Sequence, residues 1–175
     1  MNNIIFAPAT AKGTAAISVI RVSGKGCGKV LTTITKKPLP KKRMLVFRNF
    51  YYKKKENEII DSCLVCWMPG PRSYTGEDSF EIYCHGANSI INGFFDILSN
   101  LENVRFAKEG EFTKRALING KLNLIKAEAI NDLIHSETEK QRQLAIKQLN
   151  KGLTIPIRKW KESLKNCIAQ IETSI

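Results

Sequence analysis

The chain has 175 residues, of which 43% are hydrophobic and 25% charged; this suits a soluble domain with an attached piece and excludes a disordered tail. Lys and Arg outnumber Asp and Glu 28 to 16, and the formal net charge of +12 makes RNA or DNA a reasonable partner, although an AT-rich coding sequence enriches Lys, Ile and Asn without one. No apolar run reaches the roughly 18 residues of a membrane span, "MNNIIFAPAT" lacks the features of a signal peptide, and five irregularly spaced cysteines argue against a disulfide framework, so the cytosol is expected.

Residues Ala15 to Ser23 alternate as a half-buried strand, with Ile17, Val19 and Arg21 on one face and Ser18, Ile20 and Val22 on the other. "CGKVLTTIT" follows as a weaker helix candidate. "MLVFRNFYY" and "IIDSCLVCWMP" are two strands joined by the polar "KKKENE", which predicts a hairpin turn, and "DSFEIYCHG", Asp78 to Gly86, is a fourth strand. "SIINGFFDILSNL" places Ile90, Ile91, Phe94, Ile97, Leu98 and Leu101 on one helical stripe, and "NVRFAKEG" predicts a last strand. Residues 1–118 are therefore expected to be α+β, a mixed sheet-and-helix domain.

Asn119-Gly120 interrupts the helical periodicity around "FTKRALINGKLNLIKAEAI". Gly inside a helix costs about 1 kcal/mol and Asn-Gly favours left-handed backbone, so a helix end is predicted there. From Lys121 the pattern is nearly all helix, through Leu122, Ile125, Ala129 and Leu133 and then Leu144, Leu149 and Leu153, with Asn123 as a cap. Residues 119–175 are thus expected to open an α-helical domain. Gly152 and Pro156 predict a kink or a further helix. Ile157, Trp160, Leu164, Cys167, Ile171 and Ile175 form an apolar seam that either awaits a later element or packs back on the preceding helix.

Several motifs carry less chemistry than they suggest. "GKGCGKV", Gly24 to Val30, has three residues where a phosphate-binding loop needs four between its glycines, and Val30 stands where Ser or Thr would hold magnesium. Cys63 and Cys66 have metal-type spacing, but residues three apart in a strand point to opposite faces. His85 and His135 are the only histidines, which leaves few parts for metal or Ser-His chemistry. From Lys36 to Lys55 there are nine Lys or Arg and no acid, with Phe47, Phe50, Tyr51 and Tyr52 interleaved. That run is either a charged surface hairpin or a groove that tracks a phosphate backbone. Arg21 and Glu81 sit among apolar strand residues and are expected to be drawn inward, where a lone charge is costly. They form either a structural ion pair or, with Lys121, a pocket of one carboxylate and two cations.

"IIFAPATAKGTAAISVIRVSG", "RSYTGEDSFEIYCHG" and "GEFTKRALINGKLNLIKAEAINDLI" together resemble the N-terminal part of the tRNA modification GTPases, the MnmE (TrmE) family, over residues 3 to about 153. The family usually has Asp at position 123, where Asn retains the helix cap. The resemblance implies a tetrahydrofolate-binding, homodimerising N-terminal domain in a cytosolic protein, with 5-formyl- or 5,10-methylene-tetrahydrofolate on Arg21, Glu81 and Lys121. Glu81 would accept from the pterin's amino and ring N–H edge, and the two cations would meet its carbonyl or glutamyl oxygens. Asn119-Gly120 would then end a helix so that Lys121 projects into the pocket. It further implies tRNA and a flavin-containing partner of the MnmG (GidA) type in modifying a wobble uridine. GTP, Mg2+ and K+ belong to a GTPase domain expected beyond this chain, which has no GxxxxGK[ST] loop. The alternatives are a basic RNA-binding module without a small ligand, or a folate-dependent aminomethyl transferase using Glu77 or Asp78 as base.

Overall fold

The computed structural model describes residues 3–11, 13–52, 58–150 and 154–173. The chain divides into two compact units, Met1–Lys121 and Leu122–Ile175. The first holds β1 (Ile4–Pro8), β2 (Ala15–Ser23), α1 (Cys27–Thr35), β3 (Leu45–Tyr51), β4 (Ile59–Met68), β5 (Ser79–Gly86), α2 (Asn88–Ser99), β6 (Val104–Phe106) and α3 (Glu111–Ile118). The second holds α4 (Leu124–Ile134), α5 (Glu139–Asn150) and α6 (Thr154–Glu172).

The six strands form one mixed sheet in the order β3-β4-β5-β2-β1-β6, antiparallel except for the β1–β6 pair. Helices α1 and α2 bury one face of it. Val30, Leu31 and Ile34 from α1 and Phe94, Ile97 and Leu98 from α2 meet Ile20, Val22, Phe50, Val65, Trp67, Phe80 and Ile82 in a single core. The α+β architecture follows from these two layers. Gly93 lets α2 approach β4, since a Cβ there would lie 2.6 Å from the Tyr52 hydroxyl and 3.1 Å from Ile60 Cγ2.

Two differences from the sequence pattern bear on the site. The core covers the Ser18/Ile20/Val22 face of β2, so Arg21 lies on the opposite, open face, where Ile17 is 62% exposed. Arg21 and Glu81 are thus not drawn into the main core. Ile17 and Val19 are as apolar as Ile20 and Val22, and alternation alone does not say which face the helices take. Second, Ile4–Pro8 is a strand that its short apolar run does not announce, and it receives β6 alongside it in parallel. Strand β6 itself ends at Phe106, well short of Gly110. The expected turn at 53–58 falls almost wholly outside the described residues.

The Asn119–Lys121 segment closes α3. Gly120 is left-handed at φ 68°, its N–H donates to Leu117 O at 3.1 Å, and Lys121 N–H donates to Ala116 O at 2.8 Å. These paired bonds are a Schellman cap. The first unit therefore runs through Lys121, three residues past the expected boundary at 118.

In the helical unit, Asn123 Oδ1 accepts from Lys126 N–H at 2.8 Å and starts α4. The helical pattern is broken at residues 135–138, where Thr138 and Gln141 cap each other's backbone N–H groups before α5. In α6, Trp160, Leu164 and Ile171 are 62%, 63% and 62% exposed, so the apolar stripe is uncovered among the described residues. No helix among the described residues is long and apolar enough to cross a membrane.

Candidate ligand site on the open face of the sheet

The antiparallel register of β2 and β5 sets Arg21 directly opposite Glu81, and Cys66 of β4 lies beyond Glu81 in the same row. Arg21 Nε donates to Glu81 Oε1 at 2.8 Å and Nη2 approaches the same oxygen at 2.7 Å. Tyr83, two residues along β5 and so on the same face, donates its hydroxyl to Glu81 Oε2 at 2.8 Å. Partial burial, with the hydrogen bond to Glu81 second, pushes the Tyr83 phenol up to about 12. Both carboxylate oxygens of Glu81 are thus engaged, with its side chain 14% exposed and that of Arg21 30%.

Aromatic rings flank the pair. The Arg21 guanidinium carbon lies 5.2 Å from the centroid of the Tyr74 ring and 5.8 Å from that of Phe112 on α3, within cation–π range. Tyr74 belongs to the 69–78 loop between β4 and β5, and its hydroxyl is 2.9 Å from Thr113 Oγ1.

Lys121 reaches the same loop. Gly76, at φ +80°, packs so closely that a Cβ there would stand 3.1 Å from both Asn119 Cβ and Lys121 Cγ. Asn119 Nδ2 donates to Thr75 O at 2.7 Å, which ties the cap of α3 to the loop. Arg21 and Glu81 therefore touch directly, whereas Lys121 is joined to them through the loop, its stem against Gly76 and Tyr74 two residues earlier over Arg21.

Beneath this loop lies a second charge cluster, joined through Arg115. Arg115, 2% exposed, donates through Nη1 to Glu77 Oε2 at 3.0 Å and through Nη2 to Glu111 Oε1 at 3.1 Å and Asn3 O at 2.9 Å. Glu111 also receives Arg105 at 2.6 and 2.9 Å and the Lys108 N–H at 2.9 Å. The Arg105 guanidinium, aided by the Lys108 amide and Arg115, holds the Glu111 carboxyl down at about 2. Ser23 Oγ adds bonds to Thr75 Oγ1 at 2.7 Å and Glu77 Oε2 at 3.2 Å. The loop that carries Tyr74 and Gly76 is in this way anchored to β2 and α3.

The remaining candidates lie elsewhere. Cys63 is buried while Cys66 faces the open side, so the two thiols diverge as their spacing implies. Burial pushes the Cys27 and Cys63 thiols up, and that of Cys84 up to about 11, which keeps all three as core thiols. His85 Nδ1 sits 2.9 Å from Asp61 Oδ1, a contact between strands that neither residue's neighbours reveal. The basic run from Lys36 does not form one surface. Lys36 lies over the Tyr51 ring at the end of β3, whereas Arg43 N–H bonds Trp67 O at the strand's start. Lys53 to Lys55 are outside the described residues.

The family described as GTP-binding protein TrmE N-terminus matches residues 4–121, and the MnmE helical domain matches residues 124–175. The chain belongs to the MnmE (TrmE) family. The two MnmE matches meet where the structure divides, after Lys121 and at the first residue of α4. The tRNA modification GTPase MnmE of Pelagibacter ubique is 42% identical over 171 residues, covering 98% of this chain and 38% of that protein. The MnmE of Phenylobacterium zucineum is 42% identical over 175 residues, 100% of this chain and 38% of the relative. The human mitochondrial 5-taurinomethyluridine-[tRNA] synthase subunit GTPB3 is 41% identical over 172 residues, 98% of this chain and 35% of the relative. The chain thus spans well under half the length of the curated MnmE relatives it matches.

Proposed function

We propose that this chain is the tetrahydrofolate-binding and dimerising N-terminal region of a GTPase that modifies the wobble uridine of tRNA in the cytosol. The observation that carries the ligand assignment is the Arg21–Glu81 contact on an open sheet face, flanked by Tyr74, Phe112 and Tyr83. The donor set fits a 5-formyl- or 5,10-methylene-tetrahydrofolate. Glu81 offers two carboxylate oxygens suited to the amino and ring N–H edge of a pterin, with Tyr83 yielding Oε2 to it. Arg21 holds the carboxylate in place. Arg21 and Lys121 supply positive charge for carbonyl and glutamyl oxygens, and the aromatic rings supply flat apolar surface. When bound, the folate would supply a one-carbon unit.

The same face suits a second copy of the chain. Ile17, Leu45, Phe47 and Leu64 are 62%, 54%, 61% and 39% exposed on it, and Phe47, Leu64, Tyr83 and Val19 form one continuous row across the strands. An uncovered apolar row of this kind on a sheet is suited to association. GTP hydrolysis with Mg2+ and K+ would belong to a separate GTPase domain, and the flavin-containing partner of the MnmG type would join the assembled protein with tRNA.

An aminomethyl transferase is less well supported, because Glu77 is taken up by Arg115 and Asp78 Oδ1 accepts from Gly70 N–H at 3.0 Å. Neither stands ready as a general base. Calorimetric titration of the chain with 5-formyltetrahydrofolate tests the assignment. Saturable binding is expected, weakened by about 2 kcal/mol or more in Glu81→Ala. Absence of binding by the folded wild-type chain would overturn it.

A further inference from the structure

The topology gathers cations at one end of the first unit that the sequence keeps apart. Ser23 at the end of β2 pairs with Ser79 at the start of β5, and Ser79 pairs in turn with Met68 at the end of β4. Leu45, which opens β3, pairs with Cys66 of β4. Several of the segments that leave or enter the sheet at this end carry cations, although Glu77 and Asp78 precede β5 and Glu102 precedes β6 there. Lys25 follows β2 and Lys29 lies in the first turn of α1, Lys41, Lys42 and Arg43 lead into β3, and Arg72 follows β4. All six are exposed. Arg43 bridges two of these segments, donating through Nη2 to Pro69 O at 3.1 Å and Arg72 O at 3.0 Å.

Little opposes this charge. Glu77 is neutralised by Arg115, Asp78 faces the Gly70 amide, and Glu102 is the acid that lines the depression beside Lys25 and Lys29. That depression, about 550 Å³, is walled by Ile4, Gly26 and Val30 besides the two lysines. Among the described residues none of Lys25, Lys29, Lys41, Lys42 and Arg72 forms an ion pair with an acid. Like charges crowded without partners repel one another, and an array of this kind gains most from a polyanion whose condensed counterions it displaces.

We infer that this end of the sheet is a contact surface for the phosphate backbone of structured RNA, separate from the Arg21–Glu81 site. The inference rests on the proposed role in tRNA modification for its choice of polyanion. The cations come from three separate segments of the chain, and two of them, Lys25 and Lys29, line the depression, which suits the curved backbone of a folded RNA. Backbone contacts position an RNA without reading its sequence, so the surface holds many tRNAs alike.

Fluorescence anisotropy with labelled tRNA, as a function of salt, tests the surface on the whole chain. Lys41→Glu/Lys42→Glu is compared with Lys36→Glu/Lys37→Glu, which makes the same charge change away from this end. The first pair is expected to lower affinity at least tenfold at 100 mM salt and to flatten the log–log salt slope by about 1.4 to 1.8, while the second changes affinity less than threefold. Equal losses from both pairs, or none from either, would overturn the surface. Competition by heparin as effective as by unlabelled tRNA would overturn RNA as its partner. Folate titration of Lys41→Glu/Lys42→Glu should match wild type, so failure of this surface and failure of the folate site give different results.

Discussion

Removing the Arg115 guanidinium tests whether the buried cluster under the 69–78 loop holds the first unit together. In Arg115→Met, Glu77 loses its cation while its side chain is only 20% exposed, and Asn3 O loses a donor. Glu111 is better protected, because Arg105 still meets it at 2.6 and 2.9 Å and Lys108 N–H at 2.9 Å. Breaking a buried pair from one side costs about 3 to 5 kcal/mol, and the backup at Glu111 with the partial exposure of Glu77 sets the expectation at the lower end, about 3 kcal/mol. Trp67 is 5% exposed in this unit and Trp160 is 62% exposed on α6, so the fluorescence change on urea unfolding reports on the sheet. With a urea slope of about 1 to 3 kcal/mol per molar, the midpoint should fall by roughly 1 to 3 M. Adding Glu77→Gln removes the stranded charge and should restore on the order of 1 kcal/mol. A loss below about 1 kcal/mol in the single variant, or no recovery in the double, would refute the reasoning.

Three further outcomes are expected. Gly76→Ala places a methyl group 3.1 Å from Asn119 Cβ and Lys121 Cγ at φ +80°; it should cost about 1 to 2 kcal/mol in urea unfolding and weaken folate binding several-fold by displacing Lys121. Because the Glu111 carboxyl is held at about 2, against 4.5 when free, its ion pairs contribute stability fully above about pH 4.5 that is lost as the pH falls through about 2. Arg105→Met should raise that carboxyl and shift the acid-unfolding midpoint, followed by Trp67 emission, to higher pH. Asn123→Ala removes the bond to Lys126 N–H, and amide exchange at Lys126 should speed up by about fivefold, matching a loss of about 1 kcal/mol.

Helix α2 and strands β2 to β5 could be placed from periodicity because each buries one face against a common core, and that burial is what writes the pattern. The cost of isolated charges among apolar strand residues also singled out Arg21 and Glu81, which the structure pairs. Their face was another matter, since both faces of β2 carry large apolar residues and only the helices decide between them. The break before α5 was present as Thr138-Glu139-Lys140-Gln141, a capping pair that a search for apolar spacing passes over. Tyr83 could have been found from period two alone, and Arg115 from its spacing of four after Glu111. Tyr74, and the reach of Arg115 to Glu77 and Asn3, depend on loops folding back over distances no local pattern encodes.

The parallel pairing of Ile4 with Val104 has a consequence for synthesis of the protein on the ribosome. Strand β1 is made first, yet its outer neighbour, and the guanidinium that binds Asn3 O, arrive about a hundred residues later. At about 5 to 20 residues per second, the nascent chain waits on the order of 5 to 20 seconds before this sheet can close. During that interval the apolar edge of β1 is open to chaperones or to misfolding partners, and the step that ends the wait is the emergence of α3 from the exit tunnel.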